Sequence, residues 1–188
     1  MKQPLKHLII EDNKYISLRF FPEWNLFTTR QIHGLMHMLD DVQTKAKHKS
    51  TWVELGSFAG ESAAIILGYR FIKKLHCVDK RIYKTLQRRT SEAVADGRCE
   101  LHEMLSEAAR EKITDFDVVY IDADHTYEAV KLDIAAWYPG IPSGGVLCGH
   151  DYTPGVWNGV VQAVDEFCAA NNYTITRYID SSWMIIKR

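Results

Sequence analysis

The chain has 188 residues, 46% of them apolar, enough for one domain with a substantial core and too few for two independent ones. With 23 Lys and Arg against 24 Asp and Glu, the formal charge of -1 provides no global attraction to nucleic acid or to an anionic membrane. No apolar run approaches a bilayer span, and MKQPLKHLIIEDNKY lacks the long apolar stretch and cleavage site of a signal peptide, so a soluble, cytoplasmic protein is expected. Cys77, Cys99, Cys148 and Cys168 are widely spaced in apolar contexts and show no CxxC pairing, which predicts buried free thiols.

Short strands are predicted over 8–10 and 15–20, followed by the aromatic segment FFPEWNLF. Phe20, Phe21, Trp24 and Phe27 either line a pocket or pack this extension onto the core. Thr28 with Gln31 resembles a capping box, and Ile32, Leu35, Met36, Leu39 and Val42 recur at helical spacing. His33 and His37 lie one turn apart on that helix with no acidic or cysteine partner nearby, and are read as surface residues.

The stretch TWVELGSFAGES comes next. Trp52, Val53 and Leu55 read as a buried strand, 56–60 as a tight turn, and 62–73 as a helix. In an open α/β sheet the ligand crevice lies outside the carboxyl ends of the strands, which puts this turn at the mouth of a pocket. Gly56 and Gly60 permit backbone angles and close ligand approach that a Cβ would obstruct, and free amides at the start of the helix favour a carboxylate or phosphate. The segment LHCVDK is a second strand ending in Asp79. An acid about twenty residues past a glycine turn can accept from both ribose hydroxyls of a nucleoside; taken alone it is equally a turn residue or helix cap. Lys80, Arg81, Lys84, Arg88 and Arg89 decorate the following helix and read as a solvated face.

CELHEM is a third strand ending at a loop over 104–107, and 116–121 is a fourth, running into Asp122-Ala-Asp-His125. A helix carrying Val130, Ile134 and Trp137 ends at Pro139, and a fifth strand over 146–149 delivers His150-Asp151-Tyr152. Two strands thus end in clusters of acid and imidazole. A helix over 159–170 and a terminal strand pair over 173–179 and 183–186 complete the chain.

In their order, VELGSFAGES, HCVDK, VVYIDADHTYEAVKLDIAAWYP and SGGVLCGHDY resemble the motifs of the class I S-adenosylmethionine-dependent methyltransferases, and within them the small O-methyltransferases. The spacing of Gly56 and Gly60 is not the GxGxxG of a nicotinamide dehydrogenase. The resemblance covers 51–188 as a cofactor-binding core, with 1–50 as a variable N-terminal extension and helix of the same single domain. It implies a Rossmann-like, seven-stranded, mostly parallel sheet with its last strand antiparallel and helices on both faces. It implies that Gly56, Ser57, Phe58 and Gly60 border the methionine end of S-adenosylmethionine, that Glu54 supports the turn, and that Ser62 bonds the carboxylate. Asp79 then holds the ribose, Leu105 and Ser106 frame the adenine, and Asp122 lies near the cofactor amine.

In the branch resembling catechol O-methyltransferase, a divalent ion at the ends of the fourth and fifth strands lowers the acceptor hydroxyl's pKa. Asp122, His150 and Asp151 fall on its ligand positions, and His125 falls where that branch has its catalytic lysine. His150 stands where the branch has an acid; oxygen-only ligation would suit magnesium, whereas an added imidazole suits manganese, iron or zinc as well, and a metal-free route stays open in which His125 or His150 acts as base near Asp122. A small-molecule or sugar hydroxyl is the expected acceptor, with no nucleic-acid or membrane partner; oligomeric state and acceptor identity stay open. Two other classes share these residues. One is a metal-dependent hydrolase built on the Asp/His clusters, the other a non-catalytic nucleoside-binding protein.

Overall fold

A computed structural model describes residues 26–45 and 50–188, with side chains in the first helix from residue 34 onward. The strands expected over 8–10 and 15–20 and the side chains of FFPEWNLF, of the Thr28–Gln31 box and of His33 lie outside what it describes. Helix α1 (Leu26–Lys45) has Thr28 within it, and His37 is exposed, as its pattern predicts. The chain then alternates β1 (Ser50–Leu55), α2 (Glu61–Gly68), β2 (Ile72–Asp79), α3 (Lys84–Ala95), β3 (Cys99–Glu103) and α4 (Ser106–Lys112). It continues with β4 (Val118–Ile121), α5 (Tyr127–Trp137), a 3-10 turn, β5 (Val146–Gly149), α6 (Asn158–Asn171), β6 (Thr176–Arg177) and β7 (Trp183–Ile186).

The larger differences from the sequence reading are these. The helix after the glycine turn stops at Gly68, because Tyr69 is already extended and β2 begins at Ile72. A helix, α4, grows out of the loop expected over 104–107. The penultimate strand shrinks to two residues, since only Thr176 and Arg177 find partners on β7.

The strands form one sheet in the order β3-β2-β1-β4-β5-β7-β6, with β1 to β5 parallel and β7 antiparallel to both β5 and β6. Buried parallel strands are apolar on both faces, and each face here has its own helical cover. Trp52, Leu75, Cys77, Tyr120 and Cys148 pack beneath α1, α2 and α3, while Val53, Val78, Val119, Leu147 and Ile185 pack beneath α4, α5 and α6. All four cysteines are buried and free. Among the described residues no helix is long and apolar enough to cross a membrane.

The register matters most at the strand ends. Leu55 pairs with Val78 on one side and Ile121 on the other, and Ile121 pairs with Gly149. The next residue on each strand therefore falls in one row: Gly56, Asp79, Asp122 and His150. Neighbouring members of that row stand about 4.8 Å apart.

Helix α1 reaches the opposite end of the chain. Buried Asp180 accepts hydrogen bonds from the Leu35 amide (2.9 Å) and the Ser182 amide (2.9 Å), and Gly34 lets the helix approach, since a Cβ there would lie 1.7 Å from Asp180 Oδ1. Asp180→Ala should cost about 2 to 4 kcal/mol in chemical denaturation by orphaning buried amides. Gly34→Ala should destabilise too, but by at least about 0.5 kcal/mol less in the Asp180→Ala background than alone, because the clash partner is gone.

Candidate functional site

The glycine turn follows from the row of strand ends. Gly56 has φ +86°, and a Cβ on it would lie 2.1 Å from the Asp122 carbonyl oxygen. It is thus glycine because β1 and β4 approach backbone to backbone; ligand approach is not the primary reason. Gly60 (φ +83°) caps α2 and nestles against α3, where a Cβ would meet Leu86 Cδ1 at 2.8 Å. Helix α2 has no side-chain cap, so its first amides remain available to a ligand. Arg89 corrects the reading of a wholly solvated basic face. It is buried, donates to the Ala59 carbonyl at 2.7 Å and pairs with Glu61 at 3.0 Å, anchoring the turn from α3.

Gly56, Ser57, Phe58, Ser62, Asp79, Leu105, Ser106, Asp122, His125, His150 and Asp151 line one cleft of about 1090 Å³; Glu54 and Gly60 lie behind its wall. Glu54 is fully buried between Cys77 and Tyr120 in register, and burial raises its carboxyl pKa against the opposing effect of Ser57, Ser62 and Cys77. Ser57, Ser62 and Cys77 stand around its two buried oxygens, none of them at full hydrogen-bonding geometry. Asp79 already accepts from the Phe58 amide (2.8 Å) and the Arg81 amide (3.0 Å), tying the end of β2 to the glycine turn. Phe58, held at φ +39°, meets Tyr83 edge to face at 5.0 Å. Ser106 starts α4 and accepts from Trp137 Nε1 at 2.8 Å, beside the buried Asp133 carboxyl. Tyr83 and Asp133 also line the cleft, and neither stands out in the sequence.

The two acid and imidazole clusters meet on Asp151. Its Oδ2 lies 2.7 Å from His125 Nε2 and its Oδ1 lies 3.2 Å from His150 Nδ1. Burial alone would raise the Asp151 pKa, but the two imidazoles reverse this and hold it below the ordinary carboxylate range. Burial disfavours the His150 cation, yet Asp151 and Asp122 together raise it to about 9. His125 is raised chiefly by its hydrogen bond to Asp151, and its ring stacks on Trp157 at 4.3 Å. Asp122, desolvated at the end of β4, is pushed up to about 7.

For a metal in this cleft, Asp122, His125 and Asp151 form a group whose ligand atoms all lie within 4.8 Å of one another. His150, expected as a ligand, stands outside it, with Nδ1 against Asp151 and Nε2 buried without a partner. Trp157 lies in the loop after β5 and has no sequence signal beyond its aromatic character.

A family model described as "Methyltransferase domain" matches residues 53–152, which hold the glycine turn, Asp79 and both acid and imidazole clusters. The chain belongs to this methyltransferase family. The methyltransferase is 26% identical over 153 residues to an uncharacterized protein, R132, of Acanthamoeba polyphaga mimivirus, covering 74% of this chain and 69% of the relative. Its fold is similar to that of a putative caffeoyl-CoA O-methyltransferase from Staphylococcus aureus, with a TM-score of 0.64, 15% identity, and coverage of 91% of this chain and 90% of the other. It is also similar to the MycE methyltransferase of the mycinamycin biosynthetic pathway in complex with Mg and SAH, with a TM-score of 0.65 and 14% identity, covering all (100%) of this chain but 55% of the other. At those identities the structural likeness shows the fold alone. With the family, it makes this a class I S-adenosylmethionine-dependent methyltransferase resembling the small O-methyltransferases.

Two outcomes test this geometry. Gly56→Ala should lower stability by at least about 2 kcal/mol, since it combines a disfavoured φ with a backbone clash, and should weaken S-adenosylhomocysteine binding in calorimetry. For Asp133, burial raises the pKa to about 6, so the folded methyltransferase binds more protons than the unfolded chain between about pH 4 and 6. The Asp133 contribution to stability should fall by on the order of 2 kcal/mol as pH rises through that window, and Asp133→Asn should lessen the fall in denaturation curves by that amount, leaving the share due to Asp122 and Glu54.

Proposed function

We propose that this methyltransferase transfers a methyl group from S-adenosylmethionine to a hydroxyl oxygen of a small molecule or sugar, with residues 51–188 as the cofactor-binding core and 1–50 as an extension of the same domain. The observation that carries the reading is the hydrogen bond between His125 and Asp151 on the cleft wall. Family membership replaces the hydrolase alternative.

The residues fit the cofactor. The uncapped start of α2 and Ser62 offer donors to a carboxylate. Each Asp79 oxygen, already holding one amide, retains a lone pair for a ribose hydroxyl, and Leu105 and Ser106 stand where they frame a base. When bound, S-adenosylmethionine supplies a sulfonium-activated methyl group, so the protein's tasks are alignment of the acceptor oxygen and removal of its proton. With the His125 proton on Nε2 and bonded to Asp151, Nδ1 carries a lone pair that can take the acceptor's proton. Trp157 fixes the ring by stacking, and Asp151 stabilises the imidazolium that forms. The near-neutral charge of the chain and the apolar side chains around this cleft, Phe58, Leu105 and Trp157 among them, support a small acceptor over nucleic acid.

The close set of Asp122, His125 and Asp151 favours a second reading, in which those side chains hold magnesium or manganese and His125 is a ligand instead of the base. A bound ion would supply Lewis acidity that lowers the hydroxyl's pKa. The neighbour MycE carries Mg alongside SAH.

Methyl transfer to a panel of hydroxylated metabolites and sugars tests both. His125→Ala should lower kcat by about a hundredfold to ten-thousandfold with S-adenosylhomocysteine affinity unchanged. Because His125 must be neutral to act and its pKa is raised, wild-type kcat should climb with pH through a value above imidazole's ordinary 6.5, a limb the variant lacks. Activity lost on chelation and restored by magnesium or manganese selects the second reading. Wild-type turnover in His125→Ala, insensitive to chelator, removes this centre.

A further inference from the structure

Away from the cleft, the edge of the sheet carries a second cluster. His76 on β2 pairs in register with Glu100 on β3, and His102 lies one alternation further along β3, opposite Val78. Side chains two apart share a face, so all three lie on the α4–α6 side of the sheet, where Val53 and Val78 are buried. His76 Nδ1 is 3.0 Å from His102 Nε2 and 3.3 Å from Glu100 Oε2, and His102 Nε2 is 3.7 Å from the same oxygen. Ligands at 2.0–2.1 Å from a tetrahedral zinc ion stand about 3.3 Å from one another. The two nitrogens and the oxygen therefore already keep the mutual spacing of three corners of such a tetrahedron.

We propose that His76, Glu100 and His102 bind zinc or a similar borderline divalent ion, with the fourth position open to solvent. Two imidazoles with one carboxylate select a transition ion over magnesium or calcium, which take oxygen ligands. Lys74 donates to Glu100 Oε1 and leaves Oε2 for the ion. Burial, with Lys74 adding to it, pushes both imidazoles below their ordinary pKa against the pull of Glu100, so they are neutral ligands at neutral pH. In the 3.0 Å contact one ring donates and the other accepts; ion binding shifts the donor ring to its other tautomer and replaces that hydrogen bond with two coordinate bonds. Glu100, half exposed on its side chain at 48%, provides the entry path. The site clips the edge strand β3 to β2, whose end carries Asp79 and so the glycine turn.

The test uses the full chain, treated with chelator and carrying Asp151→Asn so that the cleft set is disabled. Zinc titrated by calorimetry should bind one ion per chain and raise Tm, and cobalt should give the intense visible bands of a four-coordinate site. Adding His102→Gln, or separately the more exposed Glu100→Gln, should weaken zinc at least about tenfold and abolish the Tm rise, with circular dichroism and S-adenosylhomocysteine affinity unchanged. No zinc binding in the Asp151→Asn chain overturns the proposal. So does zinc affinity that neither second substitution alters.

Discussion

The in-register parallel pairing of β1, β2, β4 and β5 is the constraint on which the rest of this protein depends. Because Leu55, Val78, Ile121 and Gly149 are aligned, the residues that follow them leave the sheet side by side at the point where the strand order reverses. The backbone bonds from Gly56 N to Val78 O, Asp122 N to Leu55 O and His150 N to Ile121 O carry the ladder one residue beyond the strands. A one-residue slip would turn Glu54 and Tyr120 to the other face and dissolve the row. Gly56 belongs to this constraint, since only a residue without a Cβ lets the first turn lie against the Asp122 carbonyl.

On that frame the charges are arranged at close quarters. Asp151 adopts φ +61°, a left-handed conformation that Asp tolerates better than most residues, and this places its carboxylate between two imidazoles. The segment is held from several sides: Trp183 Nε1 donates to the His150 carbonyl and the Tyr152 amide donates to Ser181. The β6–β7 turn that supplies Ser181 is the one whose Asp180 grips α1, and Leu35 of α1 lines the cleft. Helix α1 and the β6–β7 turn thus converge on one wall of the site. The pKa values follow from the same crowding: burial raises Asp122, and the carboxylates of Asp151 and Asp122 raise His150 against its burial.

The sequence by itself determined the alternation of strand and helix, because apolar strands of period two and helices of period 3.6 are written in consecutive residues. It also determined the glycine turn, the acid at Asp79 and the two polar clusters at strand ends, since each is a local run read without knowing its neighbours. From the family resemblance came the antiparallel terminal strand and the expected roles of the cleft residues. Tertiary structure alone decided what lies far apart in sequence. It took Arg89 from its basic run and buried it on Ala59, brought Tyr83 and Asp133 to the cleft, and joined Gly34 to Asp180. It chose His125 over His150 to stand with Asp122 and Asp151, because ring direction depends on the left-handed turn at Asp151 and on stacking against Trp157. It set His76 against Glu100 and His102 for the same reason: a pairing between two strands is fixed by register, and register is a property of the sheet.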